Sequence, residues 1–245
     1  MAKDYDGLVL RTVNYGEGNK ILDVFTSEKG KLTVIARNIR EFKKSKGKIA
    51  EPFCRLNMNL YRGKKFYYLN QSNIIESYSG IREDIDRMYI AAYISEMTYS
   101  AIESEEENRI LYELINKTFK LLSEGEIDCV NLLFSYQIKF LSFIGYKPIL
   151  NNIDIKSENF YFNYEDGSVF PKEFKESYRY YIEIENNIYK LLKIFLYSRL
   201  EDLRKIDINK YERVKIEHIL YNYMVFHIGK YKYKSLKMLK TLDLI

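Results

Sequence analysis

The chain has 245 residues, of which 47% are hydrophobic and 30% charged, so it is long enough for a substantial core and too apolar for a disordered protein. Its 3 Pro and 11 Gly argue against long flexible linkers, and no stretch approaches the roughly 18 apolar residues of a membrane span. The two cysteines, Cys54 and Cys129, lie far apart within apolar patterns, and no signal peptide is visible. We therefore expect two free thiols in a reducing cytoplasm.

The formal net charge is only +5, but it is distributed unevenly along the chain. Residues 1–80 contain 15 Lys and Arg against 8 Asp and Glu, a net charge of +7, whereas residues 81–245 carry a net charge of −2. Six of the positive charges fall in the run RNIREFKKSKGK at residues 37–48, where Glu41 is the one acid. Positive charge concentrated in this way is more typical of nucleic-acid binding than of a small-molecule enzyme.

The first third of the chain has the pattern of short β-strands. Alternating apolar residues and turn signals predict five strands at 6–15, 20–27, 31–37, 54–62 and 65–78. Five short strands in about 75 residues, with no helical stretch between them, predict a small closed barrel, and the OB-fold is the leading candidate. In this arrangement the basic run joins the third strand to the fourth.

From Arg82 onwards the apolar residues recur at helical spacing. Five helices are predicted, at 82–102, 107–125, 128–145, 185–203 and 211–229. Residues 146–181 lose this period, and ENFYFNYEDGSVF within them predicts a hairpin with its turn at Asp166-Gly167. A short basic tail at 230–242 ends the chain. The fold class is therefore α+β and multidomain, with a barrel domain at 1–80 and a helical domain at 81–245 that carries the hairpin as an insertion.

Phosphate contact is the chemistry that the basic run suggests. Its cations would neutralise a nucleic-acid backbone and Phe42 would stack on a base, although a solvated loop is the alternative interpretation. Lys64 and Lys65, in the next predicted turn, would extend the same surface, and so would Arg11 or Arg55 if their strands face it. The candidate DNA-binding residues are Arg11, Arg37, Arg40, Phe42, Lys43, Lys44, Lys46, Lys48, Lys64 and Lys65.

No catalytic constellation is visible in the sequence. His218 and His227 are the only histidines, and neither lies near a Cys or a carboxylate at ligand spacing, so we expect no metal site and no cofactor. The segment GEGNK lacks the third glycine of a dinucleotide fingerprint and is not followed by a helix, so it is interpreted as a turn. The lysines after residue 229 either contact phosphate or only solubilise the terminus. We expect a protein that is not an enzyme.

The order of these segments resembles the RecO family of recombination and repair mediators. The segment DGLVLRTVNYGEGNKILDVFTSEKGKLTVIARNIRE is similar to the amino-terminal barrel of that family. The series continues in the segments EPF, LYRGKKFYYL, EDI, GYKPIL and FHIGKYKYKSLKML. The resemblance thus extends over nearly the whole chain, in the expected order.

The resemblance implies a role in recombinational repair. Such a protein binds single- and double-stranded DNA and anneals complementary strands. It cooperates with RecR, and often RecF, to load RecA onto strands that are coated by single-strand-binding protein, whose acidic C-terminal tail is a further expected partner. The expected location is the bacterial cytoplasm, at the nucleoid during repair.

One departure from the family concerns zinc. Many relatives carry four cysteines in the hairpin region, and the corresponding positions here are Ile153, Lys156, Pro171 and Phe174, which cannot ligate zinc. We therefore expect a zinc-less hairpin. Apolar packing takes the place of the metal through Phe160, Phe162, Val169 and Phe170.

Two other functions remain open from the residues alone. An OB-fold protein of translation or RNA processing would anneal RNA strands at least as well as DNA strands. A pure adaptor would bind its protein partners through the helical domain and would show no affinity for nucleic acid at moderate salt.

Overall fold

The structure, a computed structural model, describes residues 2–37, 51–102, 105–150, 159–229, 233–242 and 244–245. The chain forms two compact units, Met1–Glu124 and Gly125–Ile245. No helix of the described residues is long and apolar enough to cross a membrane.

The first unit contains a closed five-stranded barrel. Its strands are β1 (Ala2–Tyr15), β2 (Asn19–Thr26), β3 (Gly30–Ala36), β4 (Arg55–Arg62) and β5 (Tyr67–Glu76). The strand order is β1-β2-β3-β5-β4, with β1 also paired to β4 and with β3 and β5 parallel. This order is that of the OB-fold and confirms the predicted barrel. The first strand begins four residues earlier than predicted, because Ala2 pairs with Tyr61 of β4.

Apolar side chains that alternate along the strands form the barrel core. Inward-facing side chains include Leu22, Val24, Leu32, Val34, Leu56, Met58 and Leu60, each almost fully buried. Gly7 also faces inward, and a Cβ at this position would lie 2.6 Å from Cγ1 of Val24. The tight turn after β1 uses Gly16 and Gly18 at φ of 59° and 80°, which confirms that GEGNK is a turn.

Two helices pack on the outside of this barrel. They are α1 (Ile85–Ala101), capped by Asp84, and α2 (Arg109–Glu124). On α2, Tyr112 contacts the ring of Phe25 at 5.6 Å between centroids, and Phe119 contacts Phe53 at the same distance. Residue 80 marks the change from strands to helices, and the compact unit extends to Glu124 because α1 and α2 cover the barrel.

The second unit is built around a central helix. That helix is α3 (Cys129–Phe143), and it packs against α4 (Asn186–Tyr197) and α5 (Lys210–Ile228). The predicted helix at 185–203 was too long: α4 ends at Tyr197 and a 3-10 turn follows at Leu200–Lys205. The ammonium group of Lys139 donates to the carbonyls of Leu196 and Ser198 at 2.7 and 2.9 Å, and so binds the end of α4.

The tail after α5 contains a helix that was not predicted. Residues 230–242 were predicted as a short basic tail, and α6 (Lys234–Thr241) lies within them. Leu236 and Leu239 are buried on its inner face, three residues apart. Lys240 forms an ion pair with the buried Glu217 of α5 at 3.2 Å. The helix therefore depends on packing and pairing against the unit, because eight residues are too few to form a stable helix alone.

The predicted hairpin is part of a three-stranded sheet. Its strands are β6 (Asn159–Asn163), β7 (Val169–Phe170) and β8 (Tyr181–Glu185), in the order β7-β6-β8. The turn lies where it was predicted, with Gly167 at a φ of 67°, whereas β8 was not predicted. The four apolar residues expected to replace a zinc site are all buried: Phe160, Phe162, Val169 and Phe170.

Candidate nucleic-acid interface

Arg37 is the first residue of the basic run. It follows β3 directly, is exposed, and its guanidinium carbon lies 4.7 Å from the ring centroid of Tyr68 on β5. The rest of the run lies outside the described residues, and with it the candidates Arg40, Phe42, Lys43, Lys44, Lys46 and Lys48. The chain is described again from Glu51, just before β4.

Lys64 and Lys65 lie in the turn between β4 and β5, and both are exposed. The turn is closed by a hydrogen bond from the amide of Gly63 to the carbonyl of Phe66, at 2.9 Å. A Cβ on residue 63 would lie 2.5 Å from Cε2 of Tyr68, so glycine lets the turn lie close to that ring. The loop between the fourth and fifth strands is one that OB-folds use to bind oligonucleotides.

A pair of tyrosines lies beside this turn. Tyr61 and Tyr68 are directly opposite in the register of β4 and β5, and their rings stack at 5.2 Å between centroids with 14° between the planes. Tyr61 is 40% exposed and Phe66, in the turn, is 36% exposed. We call the set of Arg37, Tyr61, Lys64, Lys65, Phe66 and Tyr68 the β4–β5 surface.

The aromatic members of this surface were missed from the sequence. The available signal was the segment LYRGKKFYYL, in which tyrosines flank a Gly-Lys-Lys turn on both sides. Strand alternation places Tyr61 on the outer face, since Leu60 faces inward. The stacking could be found only from the register, because a shift of one residue would have turned one ring into the core.

The other cations near the turn have partners within the unit. Arg62 pairs with Glu105 at 2.9 Å, and Lys29 pairs with the same carboxylate at 3.3 Å. Glu105 lies in the connection between α1 and α2 and has a φ of 64°. The charges of Arg62 and Lys29 are therefore compensated beside an otherwise cationic turn.

Arg11 lies on β1 where that strand pairs with β2. It forms an ion pair with Asp23 at 2.6 Å, and its guanidinium carbon lies 5.3 Å from the ring centroid of Tyr99 on α1. The Asp23 carboxylate is almost fully buried, whereas the Arg11 side chain is 59% exposed. The structure therefore pairs this candidate with α1 and β2, and its contact with DNA stays a prediction.

Arg55 is the other barrel cation that the sequence associated with this surface. It forms an ion pair with Asp6 at 2.5 Å, and the hydroxyl of Tyr112 donates to the same carboxylate at 2.7 Å. Burial would raise the pKa of Asp6, but the hydrogen bonds from Arg55 and Tyr112 outweigh it and lower that pKa below its ordinary value. Asp6 thus links Arg55 of β4 to Tyr112 of α2.

The histidines and the hairpin of the second unit were considered in the sequence as possible metal ligands. Within the described ranges, no group of three or more His, Cys, Asp or Glu side chains could hold a metal ion. His227 stacks on Tyr146 at 4.4 Å between ring centroids, and burial lowers its pKa. Pro171 and Phe174 are described, whereas Ile153 and Lys156 lie outside the described residues, so the zinc-less hairpin stays a prediction.

A shallow recess lies between α3 and α4 in the same unit. Its lining consists of Lys139, Ser142, Phe143, Lys147, Leu196 and Tyr197. Phe143 and Tyr197 are 44% and 56% exposed, and the ammonium group of Lys147 lies 5.4 Å from the Tyr197 ring centroid. The recess thus combines two exposed aromatic rings with the ammonium group of Lys147.

The fold and its turn define an α+β protein with an amino-terminal OB-fold barrel. The family model described as "Recombination protein O N terminal" matches residues 1–78, and the one described as "Recombination protein O C terminal" matches residues 82–237. The chain therefore belongs to the RecO family of DNA repair proteins, which confirms the resemblance seen in the sequence.

Curated relatives agree with this assignment over nearly their full length. A DNA repair protein RecO of Alkaliphilus metalliredigens (strain QYMF) is 27% identical over 97% of this chain and 98% of its own. One of Bacillus pumilus (strain SAFR-032) is 30% identical over 97% of this chain and 93% of its own. One of Bacillus cereus (strain AH187) is 28% identical over 99% of this chain and 98% of its own.

Proposed function

We propose that this RecO-family protein is a DNA-binding recombination mediator. It binds single- and double-stranded DNA, anneals complementary strands, and with RecR, and in some settings RecF, helps to load RecA. The observation that supports this most directly is the contact of Arg37 with Tyr68 beside the Lys64-Lys65 turn. It joins the start of the basic run to the loop where OB-folds bind oligonucleotides.

Annealing has a simple physical requirement. Two polyanions must approach while their bases stay available for pairing, so the protein has to neutralise phosphates at several points without enclosing the strand. Cations of the basic run, between β3 and β4 in the sequence, and cations at the exposed turn meet this requirement. If all six cations of the run contacted single-stranded DNA, the log–log salt dependence of binding would approach a slope of −4, at about 0.7 per charge, as an upper bound.

Neutralising the lysines of the run tests the proposal. Changing Lys43, Lys44, Lys46 and Lys48 to Gln should weaken binding to all sequences alike and reduce the salt slope by up to about 3. Binding is measured with a labelled oligonucleotide over a range of salt concentrations, and annealing is measured with and without single-strand-binding protein.

A matched control removes the same charge elsewhere. Lys120, Lys172, Lys190 and Lys205 are exposed and lie outside the barrel, so their combined change to Gln should leave the slope close to that of the wild type. An unchanged slope in the first variant, or an equal loss in the control, would contradict the proposed site. Annealing of RNA strands in preference to DNA would favour the RNA-binding alternative.

The partners and location are part of the same proposal. RecR, the acidic tail of single-strand-binding protein and, indirectly, RecF and RecA are proposed partners in the cytoplasm, and the protein is proposed to act without catalysis. The recess beside Phe143 and Tyr197, which Lys147 also lines, supports binding of an acidic peptide. Binding to RecR or to the tail by a chain that binds no DNA at about 100 mM salt would instead indicate an adaptor.

A further inference from the structure

The outer face of β4 and β5 carries different types of side chain at its two ends. Leu56, Met58 and Leu60 face the core, so the residues between them lie on the outer face. Away from the turn, that face carries uncharged amides, namely Asn57 and Asn59 on β4 and, opposite them, Gln71 and Asn73 on β5. Next to the turn it carries the stacked rings of Tyr61 and Tyr68, and beyond these the cations.

We propose that Tyr61 and Tyr68 form a stacking platform for an unpaired base of single-stranded DNA. Arg37, Lys64 and Lys65 contact the neighbouring phosphates. The inference rests on the proposed function, because it takes nucleic acid as the ligand, and it deepens that function by naming the part of DNA that the β4–β5 surface recognises.

Exposure and neighbours support the platform. Tyr61 is 40% exposed, and its cross-strand neighbour on β1 is Ala2, a residue too small to cover an aromatic ring. Tyr68 is held from two sides, by Tyr61 and by the guanidinium of Arg37. A ring that is already stacked and held loses little freedom when a base is added, so the site is prepared for stacking.

The arrangement also separates bases from phosphates. The amides of the strands can donate to and accept from base edges, but they cannot neutralise a phosphate. Arg37 and the lysines of the turn lie at one edge of the face, whereas Arg55, at the far end of β4, is paired with Asp6. A single strand bound along this face would place its bases over the tyrosines and its phosphates at the turn. The contribution of base stacking to binding would then be independent of salt concentration.

Duplex DNA cannot use the platform, because its bases are stacked within the helix. The tyrosines should therefore contribute to binding of single strands only, whereas the cations contribute to both forms. An abasic oligonucleotide, which has phosphates and no bases, should behave like the duplex.

A tryptophan at position 61 gives a direct test, because the chain contains no Trp. In Tyr61→Trp this residue is the one Trp fluorophore of the protein. Its emission should be quenched by a thymine oligonucleotide of about 20 nucleotides and should not be quenched by an abasic oligonucleotide or a duplex of equal length. Anisotropy of labelled DNA, measured in parallel, shows when binding is saturated. Saturated binding of the thymine oligonucleotide without quenching would overturn the inference.

Removing the ring of Tyr61 measures how much it contributes to the affinity for single-stranded DNA. Tyr61→Ala should weaken binding of the thymine oligonucleotide at least about five-fold and should leave binding of the abasic chain, binding of the duplex and the salt slope unchanged. Tyr61→Phe should retain wild-type affinity. The control is Tyr211→Ala, which removes a 56% exposed tyrosine from α5 of the second unit, away from any proposed binding surface.

The outcomes separate this inference from the proposed function. An equal loss for all three ligands in Tyr61→Ala, or no loss for any, would overturn the platform while DNA binding by the wild-type chain stands. Failure of the wild-type chain to bind any of the three would overturn the proposed function itself.

Discussion

At the scale of single residues, several barrel charges are used to hold the unit together. Asp6 accepts hydrogen bonds from the Nε of Arg55 at 2.9 Å and from the hydroxyl of Tyr112 at 2.7 Å. The hydroxyl of Tyr78 donates to Asn116 on α2 at 2.6 Å, and burial raises the pKa of Tyr78 to about 12, so this hydroxyl remains a donor at neutral pH. These bonds join the barrel to α2.

The pH dependence of stability should report on Asp6. The pKa of Asp6 is lower in the folded state than in the unfolded state. The stabilisation by its carboxylate is therefore complete above the unfolded-state pKa of about 3.9, and it is lost as the pH falls through the folded-state pKa. Asp6→Asn should lower the free energy of unfolding at neutral pH and flatten its decline below about pH 4. Urea unfolding at a series of pH values measures both effects.

Asp4→Asn is the control for this experiment, since it removes an exposed carboxylate two residues earlier on the same strand. We expect it to change stability less than Asp6→Asn at neutral pH. If Asp6→Asn declined in acid as steeply as the wild type, the contribution assigned to this carboxylate would be refuted.

At the scale of elements, the connection between α1 and α2 is bound to two barrel turns. Glu105 takes a left-handed φ of 64° and pairs with Lys29 of the β2–β3 turn and Arg62 at the end of β4. The backbone of this connection also lies close to the β2–β3 turn. A Cβ on Gly30 would lie only 2.0 Å from the carbonyl oxygen of Glu106. An acidic connection thus compensates two cations next to the β4–β5 surface.

Removing the charge of Glu105 should therefore strengthen DNA binding. In Glu105→Gln, Lys29 and Arg62 become available to phosphate, so we expect higher affinity at low salt and a log–log slope that is steeper by about 1. Glu113→Gln, an exposed change of equal charge on α2, separates this effect from that of net charge. Equal gains in both variants, or no gain in either, would show that the ion pairs with Glu105 do not limit binding.

At the scale of the whole molecule, the first compact unit is larger than the barrel. Phe25, Phe53 and Tyr78 are at most 5% exposed, and their aromatic partners Tyr112 and Phe119 belong to α2. A barrel without α2 would expose these rings to water, at a cost of roughly 1.5–3 kcal/mol for each large apolar side chain.

Two fragments should therefore differ in folding. A fragment of residues 1–124 should unfold cooperatively on heating and retain single-stranded DNA binding, whereas residues 1–80 should not unfold cooperatively. Circular dichroism melts and labelled-oligonucleotide anisotropy measure the two properties, with residues 125–245 as the control for binding. Cooperative unfolding of residues 1–80 with the stability of the longer fragment would refute this division.

Local periodicity predicted most of the elements, because the barrel strands and the long helices each bury one regular face. All five barrel strands were predicted within a few residues, since Leu22, Val24, Leu56 and Met58 alternate inward. The strand β8 and the helix α6 were missed, because each is short and depends on a distant partner. β8 pairs with β6, and α6 is held by the ion pair of Lys240 with Glu217.

The sequence by itself determined the class of the protein and the concentration of charge, because strand alternation, helical spacing and the sign of each side chain are local properties. The order of its motifs was sufficient to identify the RecO family, which the family matches then confirmed. Only the tertiary structure decided which cations have partners. Arg55 and Arg62 are ion-paired with Asp6 and Glu105, residues distant in sequence, while Lys64 and Lys65 remain exposed at the turn.

The stacking of Tyr61 on Tyr68 is likewise determined by the tertiary structure. It depends on the register of two strands, and that register follows from the packing of the whole barrel core.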